Sequence, residues 1–139
     1  MDWAATALQR LDEAGYRSGA SRRKVVELIA GEPCAVTALE IDRRLASVGR
    51  ASVYRTLDQL ERLGLVQQVA IGGDAAGYER IDPEQHHHHL VCEECGHLAP
   101  FADRSLERAI EAISRDAEFE VAAHDVVLRG RCPDCAKAA

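Results

Sequence analysis

Four consecutive histidines, His86 to His89, run into Leu90-Val91 and then Cys92-Glu93-Glu94-Cys95, and a second pair, Cys132-Pro133-Asp134-Cys135, stands near the C-terminus. All six histidines and four of the five cysteines fall between residues 86 and 135. Thiolate sulfur and imidazole nitrogen are the preferred ligands of zinc and its neighbours, and each Cys-x-x-Cys knuckle supplies half of a tetrahedral sphere. Cys92, Cys95, Cys132 and Cys135 therefore read as one structural zinc site. The 36 residues between Cys95 and Cys132 are too many for a compact zinc ribbon but enough for a strand, a helix and a strand. A zinc would tie the last strand back to the start of a segment too small to rely on its core.

The histidines are surplus to that site. On an extended segment successive side chains point to opposite faces, so His86 and His88 share one face and His87 and His89 the other. One run then feeds two metal sites. Further ligands should complete them: the carboxylate of Glu107 and the imidazole of His124 on the C-terminal side, and the carboxylates of Glu79, Asp82 or Glu84 on the N-terminal side. Cys34, the fifth cysteine, reads by itself as a small buried apolar residue. His97 decorates a turn.

The elements that must position these groups follow from periodicity and breakers. Helices are expected over 3–13, from a Ser21 cap to Gly31-Glu32-Pro33, from Thr37 to about 46, and over 50–62. Thr37-Ala38-Leu39-Glu40 has the form of a reciprocal capping box. Residues 65–71 and 78–81 read as strands around a turn at 72–77, which makes a winged helix-turn-helix unit over 1–82, with a linker at Asp82-Pro83-Glu84. The second half reads as strands at 86–91 and 98–101, a helix over 105–117 and a strand over 119–128 carrying His124, a small α/β unit over 83–139. The fold class is thus α+β.

The net charge of -6 is unevenly spread. Residues 1–82 carry 11 basic and 12 acidic side chains, residues 83–139 carry 6 and 11, and the stretch 17–55 holds 8 basic against 4 acidic. That stretch is where a phosphate-facing surface would lie. Ser52, Tyr54 and Arg55 open the fourth helix, the position from which a recognition helix reads base edges, and Arg17, Arg22, Arg23 and Lys24 are placed to grip phosphates. No apolar run approaches the ~20 residues that span a bilayer. The N-terminus lacks the basic start and long apolar stretch of a signal peptide, so a cytoplasmic protein with reduced thiols and no membrane partner is expected.

Ala14-Gly15-Tyr16-Arg17, Ser52-Val53-Tyr54-Arg55-Thr56-Leu57, HHHHLVCEECG at 86–96, Glu107, Ala123-His124, Gly130 and the Cys132–Cys135 knuckle together resemble the ferric uptake regulator (Fur) family of metal-responsive repressors. The resemblance implies an N-terminal winged helix, a C-terminal α/β dimerisation domain with a structural Zn(2+), and a homodimer that binds a palindromic double-stranded DNA operator when loaded with a second divalent metal, Fe(2+), Zn(2+) or Mn(2+). It aligns Arg17 with a minor-groove basic residue and Tyr54 with a base-contacting tyrosine. It implies a regulatory site of His87, His89 and Glu79, with Asp82 as the alternative carboxylate. His86, His88, Glu107 and His124 match a second metal site, where many members carry Asp at the position of His88. The chain departs from the family where a histidine is expected before the third helix and Cys34-Ala35 stands instead. Pro100 stands where a carboxylate is common, and Gln67 and Ile81 stand near the Asp and Cys of zinc-sensing members. A Cys34 ligand in place of the histidine would favour zinc over iron or manganese.

A metal-dependent repressor of metal-homeostasis genes, and not an enzyme, is the leading expectation. A peroxide-sensing member of the same family is the near alternative. A zinc hydrolase would use a His/Glu site with an open position, but the sequence offers no evident acid–base pair and leaves the basic helix unexplained. A metal buffer or thiol redox protein would show no operator binding.

Overall fold

Asp2 accepts a hydrogen bond from the Ala5 N–H and starts helix α1, Trp3–Glu13, whose Ala7 and Leu11 are fully buried one turn apart. The computed structural model describes every residue except 1, 18, 73–74, 83–85 and 139, and leaves the side chains of 72 and 75 undescribed. The middle of the expected turn and two residues of the expected linker thus lie outside the described residues. The chain divides into two compact units, residues 1–84 and 85–139.

In the first unit, helix α2 spans Ala20–Gly31, α3 Ala38–Arg44 and α4 Arg50–Arg62. The α2 cap is Gly19, not the expected Ser21: the helix starts earlier, so Ser21 falls inside its first turn. Thr37 caps α3 as expected, accepting from the Glu40 N–H at 3.0 Å. The reciprocal half of the box is replaced, because the Glu40 carboxylate binds Arg43 at 2.6 Å and Arg44 at 3.1 Å. Apolar positions at helical spacing close the core: Val25, Val26 and Ile29 of α2, Ile41 of α3, and Val53, Leu57 and Leu60 of α4. Truncating Leu57 or Leu60 to Ala would cost roughly 2–5 kcal/mol.

Strands β1 (Val36–Thr37), β2 (Val66–Gly72) and β3 (Ala75–Arg80) form an antiparallel sheet in the order β1-β3-β2. β3 begins earlier than the sequence suggests, and Ile81 lies just past it, its N–H still donating to the Leu65 carbonyl. The two-residue β1 was not anticipated; it pairs Val36 with Tyr78 and Thr37 with Gly77. A Cβ at Gly77 would come within 2.9 Å of both the Ala35 Cβ and the Ile71 Cδ1, so only glycine lets these strands approach. Three packed helices and this sheet make the winged helix.

The second unit holds β4 (His88–Cys92), β5 (Leu98–Phe101), α5 (Arg104–Asp116), β6 (Val127–Gly130) and a short α6 (Pro133–Lys137). The sheet order is β5-β4-β6; β4 and β5 are antiparallel, β4 and β6 parallel. A parallel pair needs a long crossover, which α5 and the segment after it supply. Two expectations are corrected here. The first strand starts at His88, not at 86. The expected strand over 119–128 is replaced by β6 from Val127: His89 pairs with Val127, so residues before 126 run past the start of β4 and find no ladder partner. No residue of α5 is buried within the protomer, and Ile113 and Phe119 are 66% and 75% exposed.

Candidate metal centres and nucleic-acid face

The two knuckles converge. The Sγ atoms of Cys92, Cys95, Cys132 and Cys135 lie within 4.8 Å of one another. Cys92 ends β4, Gly96 takes φ +77° to turn the chain back toward β5, and Cys132 caps α6 by accepting from the Cys135 N–H at 3.5 Å. Backbone N–H groups of Cys132 and Cys95 donate to the Cys92 sulfur at 3.3 and 3.5 Å. These bonds lower the Cys92 thiol to about 6. Cys135 moves the other way, pushed up by Cys132, Cys92 and Cys95 around it. Four crowded sulfurs of which one is ready to ionise and another resists it are what a dication resolves. The donor set fits a structural zinc.

Glu107, on the first turns of α5, bridges two imidazoles. Its Oε1 lies 2.6 Å from the His88 Nε2 and its Oε2 lies 2.6 Å from the His124 Nε2; the His86 Nε2 stands 3.5 Å from Oε1. The hydrogen bond from His88, seconded by that from His124, holds the Glu107 carboxyl below the usual carboxylate range against partial desolvation. His88 is fully buried, and its Nδ1 accepts the Val126 N–H at 3.2 Å. A backbone N–H can only donate, so a neutral His88 carries its proton on Nε2, the atom facing Glu107. Three imidazoles and a carboxylate whose donor atoms lie within 4.8 Å suit a divalent metal. The loss of strand at 86–87 does not upset the two faces: the ring centroids of His86 and His88 are 4.7 Å apart, those of His87 and His89 5.0 Å.

His87 and His89 offer ring nitrogens within 4.8 Å of each other, and His89 is buried. In the first unit the same is true of the Cys34 Sγ and a Glu79 oxygen, both residues being buried. Glu79, not Asp82, is the carboxylate grouped with Cys34. Gln67, directly across the hairpin, donates to the Glu79 Oε1 at 2.8 Å. This orienting role is legible only from the strand register. The Val126 N–H was likewise invisible in the sequence, since any residue but proline supplies one.

On α4 the buried positions Val53, Thr56 and Leu57 leave Tyr54 and Arg55 exposed, Tyr54 by 49%. Arg17, Arg22, Ser52 and Arg55 line one basin at the start of α2 and α4.

The profile of the Ferric uptake regulator family matches residues 13–129. The Ferric uptake regulation protein of Legionella pneumophila is 33% identical over 135 residues, covering 91% of this chain and 96% of that protein. The structure of the Vibrio cholerae ferric uptake regulator superposes with a TM-score of 0.80 at 29% identity, covering 89% of this chain and 98% of that one. The ferric uptake regulator of Pseudomonas aeruginosa, solved with manganese, gives 0.71 at 29% identity, with 90% and 96% covered. The chain belongs to the ferric uptake regulator family of metal-responsive regulators.

Proposed function

We propose that the protein is a cytoplasmic, metal-dependent DNA-binding repressor that acts as a homodimer on a palindromic operator and controls metal-homeostasis genes. The observation that carries this reading is a pair of incomplete donor sets, Cys34 with Glu79 in the winged-helix unit and His87 with His89 in the other. Neither pair alone satisfies a tetrahedral ion. One metal that takes both would couple the two units and fix the orientation of each winged helix, so that a dimer matches two half-sites set by the helical repeat of DNA. Iron(II), zinc(II) and manganese(II) are the candidates, and the Cys34 thiolate favours zinc. His86, His88, Glu107 and His124 form a second site, and the four knuckle cysteines the structural zinc. Ser52, Tyr54 and Arg55 read bases, with Arg17 and Arg22 supplying the electrostatic grip on the duplex. Ile113, Phe119, Val121 and Leu128, exposed and apolar in the second unit, support a dimer interface there.

The test is a duplex enriched from a random pool on metal-loaded protein, followed by binding at buffered free iron(II), manganese(II) and zinc(II). Binding should appear with metal and vanish on chelation, and His87→Ala or His89→Ala should abolish the metal response while Glu107→Ala only weakens it. Metal-independent binding by wild type would refute the reading.

A further inference from the structure

Glu79 stands on β3, the central strand of its sheet. Gln67 of β2 is its direct cross-strand partner, and on the other side β1 pairs Val36 with Tyr78. Glu79 and Cys34 are both buried, at 4% and 7% exposure, and a Glu79 oxygen lies within 4.8 Å of the Cys34 sulfur. An ionised carboxylate only accepts hydrogen bonds, so Gln67 turns its Nε2 toward Glu79 and donates to Oε1 at 2.8 Å.

The two donors of this half-site are tied to one another. Arg80, the next residue on β3, donates to the Ala30 carbonyl near the end of α2, and Arg44 of α3 binds Glu32, two residues before Cys34. β1 begins two residues after Cys34. An ion must therefore fit the donors as they stand. A charge-assisted hydrogen bond fixes the plane of the Glu79 carboxylate and weakens Oε1 as a metal donor. Glu79 then offers one oxygen and not a chelating pair. With the Cys34 sulfur and the ring nitrogens of His87 and His89, the regulatory ion proposed above would meet four donors: one sulfur, two nitrogens and one oxygen. Four donors that include a thiolate satisfy zinc(II) but leave manganese(II), which favours six oxygen-rich ligands, short of partners.

We propose that Gln67 is a specificity-determining residue of the regulatory site: by holding the Glu79 Oε1 it limits that carboxylate to one ligating oxygen and selects zinc(II) over manganese(II). The inference rests on the regulatory-site reading above and deepens it. Cys34 supplies the soft donor, and Gln67, which acts only through Glu79, sets the coordination number. The bond joins paired strands and stands before any metal arrives, so the preference is built into the fold. A Gln67 with a merely structural role would affect both ions alike.

The experiment uses the full chain with its structural zinc retained and cobalt(II) as the probe. With the knuckle thiolates held by zinc, a thiolate-to-cobalt charge-transfer band reports Cys34 alone. Wild type should show that band together with the intense visible bands of four-coordinate cobalt(II). Displacing the cobalt with zinc(II) or with manganese(II) at buffered free metal gives the preference between them. Gln67→Met keeps the length of the side chain and removes the donor. Gln67→Asn keeps an amide on the strand but draws it back from Glu79. In both variants the visible bands should weaken to those of a higher coordination number, and the zinc-to-manganese preference should fall by about tenfold or more. An unchanged cobalt spectrum in both variants, or an equal loss of affinity for zinc and manganese, overturns the proposal and leaves the regulatory site standing. Absence of the thiolate band in wild type overturns the proposal together with Cys34 as a ligand.

Discussion

In the proposed second site His88 is held by two bonds, one to Glu107 and one from the Val126 N–H. Its Nδ1 accepts the Val126 N–H, so that lone pair is engaged and Nε2, the nitrogen facing Glu107, carries the proton of the neutral ring. An aspartate there would accept the N–H with one oxygen and offer the other to the metal with no proton to displace. His88→Asp should therefore raise the affinity of the second site for a divalent metal, read as metal stoichiometry per protomer at buffered free metal. An unchanged loading profile would show that the Val126 bond does not govern the site. Glu107 sets a pH limit. Its folded pKa is depressed by His88 and then His124, so its contribution is present above the unfolded carboxylate pKa and is lost as pH falls through the folded value. Glu107→Gln should remove that acid-side dependence from thermal unfolding of the metal-free protein.

At the scale of elements, the knuckles hold together what the sheet cannot. β6 has four residues and pairs only with β4, and α6 has five. Cys92→Ser should leave an incomplete sphere, with loss of most of the roughly 10–16 kcal/mol typical of structural zinc. The expected outcome is a protein purified without zinc, with the signals of residues 127–137 collapsed in an NMR spectrum while those of the winged helix persist. Without zinc, the folded-state advantage from Cys92 is full above its unfolded value near 9 and gone once pH falls below about 6. Acidification through that window should therefore loosen the knuckles of chelated protein.

For the whole molecule, the second unit leaves apolar area uncovered that a protomer cannot hide. Ile113 and Phe119 would each regain about 1.5–3 kcal/mol on burial, counted twice in a symmetric pair. Ile113→Asp with Phe119→Asp should weaken self-association by at least about 100-fold, measured by sedimentation equilibrium. Operator binding should fall with it, while the structural zinc stays bound.

Much of this was legible before any fold. The tetrahedral zinc follows from ligand type and knuckle spacing, the helices from apolar periodicity, and the winged unit from three helices followed by a hairpin. The two-faced histidine run follows from the alternation of extended chain and survives although only His88 and His89 lie in β4. Other features depended on partners distant in sequence. A strand exists only where a neighbour runs alongside it, which is why 119–126 is not one and why Val36–Thr37 is. Residue type at Ser21 and Thr37 suggested caps; packing decided where α2 starts, and two near neighbours, Arg43 and Arg44, claim the Glu40 carboxylate. Composition showed a basic stretch over 17–55; tertiary structure sorted its arginines into those paired within the chain and those left facing a basin, because pairing depends on where a carboxylate lies in space.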